Sequence, residues 1–138
     1  MLTDANGIPL SLVVAGANRH DCMLLEPTLD SIVVERPLPQ DVTQNLCADA
    51  GYKGAPARKV IEERGYVAHI KERREEADDI KNIPGVKARR WVVERTHSWM
   101  NRWRKLLVSF EKTEASYVGL LSLAAALICW RQVIPIYG

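Results

Sequence analysis

The sequence predicts an α/β domain, on three observations. Gln44–Gly65 runs strand, acid, glycine turn, helix: QNLCA is followed by Asp49, by Ala50-Gly51-Tyr52-Lys53-Gly54, and by helical spacing through Val60 and Ile61 that stops at Gly65. A second β-rich run, Tyr66–Ile70, comes next, as a parallel neighbour reached through a helical crossover would. Two helical patterns dominate the remainder, a basic amphipathic one at Arg89–Lys105 and an apolar one at Glu114–Val133.

In chain order, Asp4-Ala5-Asn6-Gly7 is a turn signal and Ile8–Ala15 after it is β-rich, so the opening reads as a hairpin. Only Met1–Thr3 precede the turn, which suggests a product that begins inside a fold. Met23, Leu24, Leu25, Leu29, Ile32 and Val33 then have helical spacing, with Asn18 or Asp21 placed to cap. His20 and Asp21 read either as chemical residues or as a solvated helix start. Pro37-Leu38-Pro39 ends that helix. Asp49 falls at the carboxyl end of a strand, where open α/β sheets put their ligands; an Asp that only hydrogen-bonds its own turn would look the same. His69 lies within its strand and reads as structural. Lys71–Ile83 is charged, with nothing to pack, and reads as an exposed loop. Leu106–Phe110 either extends the preceding helix or forms a short strand, and Thr113 with Ser116 opens the last helix.

That last helix is apolar on most sides, with Val118, Leu121, Ala125, Ile128 and Gln132 near one stripe, so it is expected to be buried, over the sheet or in an oligomer interface. Its most apolar run, Tyr117–Trp130, is short for a bilayer, and no membrane role is expected. No leader pattern marks the N-terminus. Cys22, Cys47 and Cys129 lack CxxC spacing and read as reduced core thiols rather than disulfides or a zinc site, which fits the cytoplasm.

The chain of 138 residues is the size of one domain, residues 1–138, with a composition that is 47% hydrophobic and 26% charged. A net charge of +2 does not by itself announce a nucleic-acid binder. The distribution is more telling, because Lys87, Arg89, Arg90, Arg95, Arg102, Arg104 and Lys105 surround a single acid, Glu94. At 100° per residue, Val92, Thr96, Trp99, Trp103 and Leu106 share one side of a helix. Arg90, Glu94, His97, Ser98, Asn101 and Lys105 share the other. One carboxylate fixed on a rigid element among phosphate-binding cations suits a metal ligand; a solvated face in which Glu94 pairs with Arg90 or Ser98 would show the same pattern.

Four stretches in order, DANGIPLSLVVAGANRHD (Asp4–Asp21), CADAGYKG (Cys47–Gly54), RWVVERTHSWMNRWRKL (Arg90–Leu106) and FEKTEASYVGLLSLAAALICWR (Phe110–Arg131), resemble the C-terminal part of an insertion-sequence DDE transposase. The resemblance implies an RNase H-like mixed sheet flanked by helices, here N-terminally truncated, with a long C-terminal apolar helix. It makes Asp49 the second catalytic aspartate and Glu94 the catalytic glutamate, both metal ligands. In the family's tyrosine, arginine, glutamate, lysine signature Arg90 holds the arginine position, while Lys87 stands for the tyrosine and Asn101 for the lysine, with Arg102 or Lys105 as substitutes. Arg90, Arg95, Asn101, Arg102 and Lys105 are thus the expected DNA contacts, and Trp99 and Trp103 are assigned to the core. The first catalytic aspartate would lie on a strand ahead of the hairpin, central in the sheet, and Asp4 is not it.

Also implied are two Mg²⁺ or Mn²⁺ ions, double-stranded DNA (element ends and target) as partner, a homo-oligomer or association with an upstream frame product, and a place with the nucleoid. The alternative is a non-catalytic DNA-binding or inhibitory fragment that associates with intact transposase; a third reading is an RNase H-like nuclease or resolvase.

Overall fold

A computed structural model describes residues 1–16, 18–70, 81–82 and 91–137. The expected loop at Lys71–Ile83 falls outside these residues, apart from the exposed Lys81 and Asn82, and so do Lys87 and Arg90. The chain forms two compact units, Ala15–Arg90 and a second one assembled from Met1–Val14 with Trp91–Gly138.

In the first unit, α1 (Asp21–Asp30) buries Leu25 and Leu29, one turn apart on one face. It is shorter than its apolar spacing predicts: Ser31 N–H closes onto the Pro27 carbonyl at 3.1 Å, and Val33 is left 83% exposed. Its N-cap is His20, without a side-chain capping bond, rather than Asn18 or Asp21. Asp21 sits instead in the first turn, where a negative charge complements the helix dipole.

The parallel pair β3 (Gln44–Ala48) and β4 (Tyr66–Ile70) lies where the sequence places it, in register from Gln44 opposite Tyr66 to Ala48 opposite Ile70. The crossover helix α2 (Ala55–Glu63) buries Ala57 and all of Ile61. Gly65 ends the crossover at φ +75°, and a Cβ there would come within 2.5 Å of Pro39 Cγ, so both backbone sign and space require glycine. Arg64 forks onto Asp30 (Nε to Oδ1 2.8 Å, Nη2 to Oδ2 3.0 Å) and reaches Glu26, tying the end of α2 to α1.

In the second unit, β1 (Leu2–Thr3) pairs antiparallel with β2 (Pro9–Ser11) through an irregular register. The turn between them is the predicted one. Asp4 Oδ1 accepts from the N–H of Asn6 (2.9 Å) and of Ile8 (2.8 Å), and Gly7 takes φ +81°. Only three residues of the expected Ile8–Ala15 strand are paired, because β1 offers two partners. Among the described residues the strands form two two-stranded sheets, one antiparallel (β1 with β2) and one parallel (β3 with β4).

Three helices complete this unit: α3 (Trp91–Met100), α4 (Arg104–Val108) and α5 (Glu114–Tyr137). The Arg89–Lys105 pattern is thus not one helix. Asn101 N–H still bonds four residues back to His97, but Arg102 and Trp103 bond three back, to Trp99 and Met100, and Trp103 is extended at φ −86°, ψ 104°. A side-chain period that continues in phase cannot reveal this change of backbone bonding. Past the break, α4 runs to Val108 and stops at Ser109 in the left-handed region (φ 49°), so Leu106–Phe110 is not a strand.

Thr113 caps α5 as expected, its Oγ1 accepting from Ser116 N–H at 3.2 Å. The buried stripe of α5 is Ala124, Ala125 and Ile128 with Tyr117, Leu120 and Leu121 partly covered; together with Met100 and Leu106 it forms the core, against which Trp99 and Trp103 pack. Other apolar residues of α5 are exposed in the single chain, Leu123 at 58% and Trp130 at 63%. Glu114–Ile134 has the length and hydropathy to cross a bilayer, properties it shares with soluble core helices. Cys22 and Cys47 are exposed rather than core thiols, and none of the three cysteines is in a disulfide.

Candidate active site

Asp49 follows the last residue of β3, in the first unit, with an extended backbone (φ −66°, ψ 159°) and an exposed side chain. Its Oδ1 accepts the Gly51 N–H at 2.9 Å, and its carbonyl accepts from Tyr52 at 2.9 Å. The turn thus holds the carboxylate at the strand end. The start of α1 reaches the same turn, where Cys22 Sγ donates to the Gly51 carbonyl at 3.0 Å. Tyr52 records the crowding of negative groups, its pKa raised first by burial and then by Asp21, Cys22 and Asp49.

Glu94 belongs to the second unit, in the first turn of α3. It is exposed and, among the described residues, has no hydrogen bond or ion pair; pairing with Ser98 does not occur, and Arg90 lies outside those residues. On the opposite side of the helix Thr96 is fully buried. Its Oγ1 donates to the Gly7 carbonyl at 2.7 Å. Arg95 next to it donates to the Asn6 carbonyl and sits 5.0 Å over the Trp99 ring. The hairpin turn thereby grips the helix that presents Glu94. His97 is on the Glu94 side, its pKa lowered by partial burial of the ring and then by the N-terminal amine.

The other expected DNA contacts fall in two groups. Asn101, Arg102 and Lys105 are exposed around the break between α3 and α4. Arg95 is partly covered and engaged with the hairpin. Arg131 and Gln132, neither of which the sequence marks as a DNA contact, join Arg102 in lining a cleft of about 130 Å³ with Trp99, Trp103 and Ile128. A signal existed: Arg131 is the only cation in α5. The oxygens of Asp49 and Glu94 are the donors a hard divalent cation prefers. Among the described residues no three His, Cys, Asp or Glu side chains gather into a metal-binding group.

A family model described as the transposase DDE domain matches residues 46–131, from β3 to near the end of α5. The chain belongs to the DDE transposase domain family. The DDE match contains both Asp49 and Glu94, together with Asn101, Arg102, Lys105 and Arg131. A relative from Burkholderia cepacia, named "Putative transposase for insertion sequence element IS402", is 37% identical over 136 residues. That comparison covers 96% of this chain and 62% of the relative, so the chain spans somewhat under two thirds of the relative's length. No solved structure matches.

Proposed function

We propose that this DDE domain supplies part of the catalytic centre of a bacterial insertion-sequence transposase. In this reading water attacks a phosphodiester at an element end, freeing a 3′ hydroxyl. That hydroxyl then attacks target DNA, without a covalent protein intermediate. The observation that carries the reading is Glu94: an exposed carboxylate, unpaired among the described residues, in the first turn of a helix whose opposite side is fixed by Thr96 and Arg95, inside the stretch that matches the family.

Asp49 and Glu94 would provide two of the three carboxylates such a centre uses. Two Mg²⁺ or Mn²⁺ ions, when bound, would activate the attacking oxygen and stabilise the leaving one. Arg102 and Lys105 would neutralise phosphates beside the cut, with Asn101 donating a hydrogen bond; such contacts position DNA and weaken as salt rises. An RNase H-like arrangement of the complete protein, association between copies or with an upstream product, and residence on the nucleoid belong to the same proposal.

The test is Mg²⁺-dependent cleavage of element-end DNA by this chain, alone and fused to the polypeptide encoded upstream. Glu94→Gln is expected to abolish cleavage by the active form while leaving DNA affinity within about twofold, since an isosteric neutral side chain removes a ligand and little else. Undiminished cleavage by that variant would sink the role of Glu94. DNA binding without cleavage in either form would favour the non-catalytic, inhibitory reading.

A further inference from the structure

One face of the β3–β4 pair carries chemistry that the proposed function does not use. A parallel pair covered on both sides would read as two apolar runs. Leu46 and Ile70 are buried on one face, whereas on the other Asn45, Cys47 and Val67 are exposed and His69 is only partly covered. The register sets Cys47 directly opposite His69, and Asn45 opposite Val67, on strands about 4.8 Å apart. Side chains alternate between faces, so Asn45, Cys47 and His69 share the exposed one.

Asn45 Oδ1 lies 2.7 Å from His69 Nε2. An amide oxygen only accepts, so Nε2 donates and the neutral ring keeps its lone pair on Nδ1. A cysteine, an imidazole held in one tautomer and the amide that holds it are the parts of a thiol nucleophile with its general base. The other two cysteines are placed differently. Cys22 is exposed but donates to the Gly51 carbonyl at 3.0 Å, and Cys129 is partly covered, its thiol pKa pushed up by burial.

We propose that Cys47 is a thiol-modification site with His69 as its general base, and that its reactant is a small hydroperoxide. His69 Nδ1 takes the thiol proton as the sulfur attacks the terminal peroxide oxygen. An S–O bond forms, the O–O bond breaks, and the leaving oxygen departs as water or an alcohol with that proton. The sulfur is oxidised to a sulfenic acid and the peroxide is reduced. Asp49 stands two residues further on with an extended backbone, roughly 6.6 Å along the strand and on the same face. The sulfenic acid, or the mixed disulfide formed when a small thiol displaces its oxygen as water, therefore adds bulk beside that carboxylate and slows cleavage. This last consequence alone rests on Asp49 serving the proposed reaction.

The intact chain is treated with limiting hydrogen peroxide, the sulfenic acid is trapped with dimedone, and the labelled cysteines are located by peptide mass spectrometry. Cys47 is expected to label at least tenfold faster than Cys22, because a positioned general base contributes about 10²–10⁴-fold. His69→Gln is expected to bring Cys47 down to the Cys22 rate, and Asn45→Ala, which frees the ring, to give an intermediate one. Should His69→Gln misfold, the native chain and Asn45→Ala decide the matter. Equal labelling of Cys47 and Cys22 in the native chain, or a Cys47 rate unchanged by both substitutions, overturns the site. In the fusion that cleaves DNA, peroxide is expected to lower the rate, and Cys47→Ser to cleave as before and resist peroxide. Fast Cys47 labelling with undiminished cleavage overturns the link to Asp49 alone. An untreated fusion that does not cleave counts against the transposase reading, while the labelling rates still decide the thiol.

Discussion

Thr96→Val isolates the bond by which the hairpin turn grips α3. The Thr96 hydroxyl carries one proton and is fully buried; it lies 2.7 Å from the Gly7 carbonyl and 3.1 Å from that of Val92, so the hairpin contact is the stronger. Valine keeps the shape and removes the donor, leaving a buried carbonyl without it, at a cost of about 1–3 kcal/mol. For a chain of this size each kcal/mol lowers the melting temperature by roughly 3–5 °C, so a central loss of about 2 kcal/mol gives a drop of about 6–10 °C.

Gly7→Ala attacks the same contact from the other side. A methyl at φ +81° would lie 2.9 Å from Thr96 Oγ1, and the left-handed backbone alone costs about 1–2 kcal/mol. Thermal unfolding followed by circular dichroism on wild type, both single variants and the double variant completes the cycle. The two changes should be less than additive, because either one breaks the shared bond. A Thr96→Val protein melting within about 1 °C of wild type, or strict additivity, would refute the clamp.

Two further outcomes follow from the same structure. His97 has its pKa lowered from the ordinary 6.5, so folding favours the neutral ring; the associated stability is complete above that value and is lost as pH falls through it toward the folded pKa. Melting temperature should therefore decline between pH 7.5 and 5 less steeply in His97→Gln than in wild type, and equal slopes would remove His97 from the explanation. Gly65→Ala places a methyl 2.5 Å from Pro39 Cγ at φ +75° and should destabilise the first unit by at least ~2 kcal/mol, read by urea denaturation; an unchanged midpoint would contradict the packing of Pro39 on that turn.

The first unit was legible because its signals are local. Gln44–Ala48, the glycine turn, the helix ending before Gly65 and Tyr66–Ile70 are each specified by neighbours within a few residues, and each is observed with bounds at most one residue from those expected. Both carboxylates could be picked out because strand ends and charged helix faces are visible in a one-dimensional pattern. What the pattern missed depends on distant partners. The engagement of Arg95 and Thr96 with a turn 89 positions away leaves no periodic trace. The break at Asn101–Trp103 keeps the apolar seam in phase on both sides. The exposure of Leu123 and Trp130 is decided by what packs on α5, and composition cannot report that.

The second unit is built from Met1–Val14 and Trp91–Gly138, with a contiguous unit between them. On a ribosome adding about 5–20 residues per second, roughly 4–15 s separate synthesis of the hairpin from that of the first residue of its partner helix. β3 and β4, each the other's partner among the described residues, are both in hand during that interval, whereas the hairpin waits for Arg95 and Thr96 to emerge. The order of assembly is thereby imposed by connectivity: the part that presents Asp49 takes shape first, and the part that presents Glu94 closes after it.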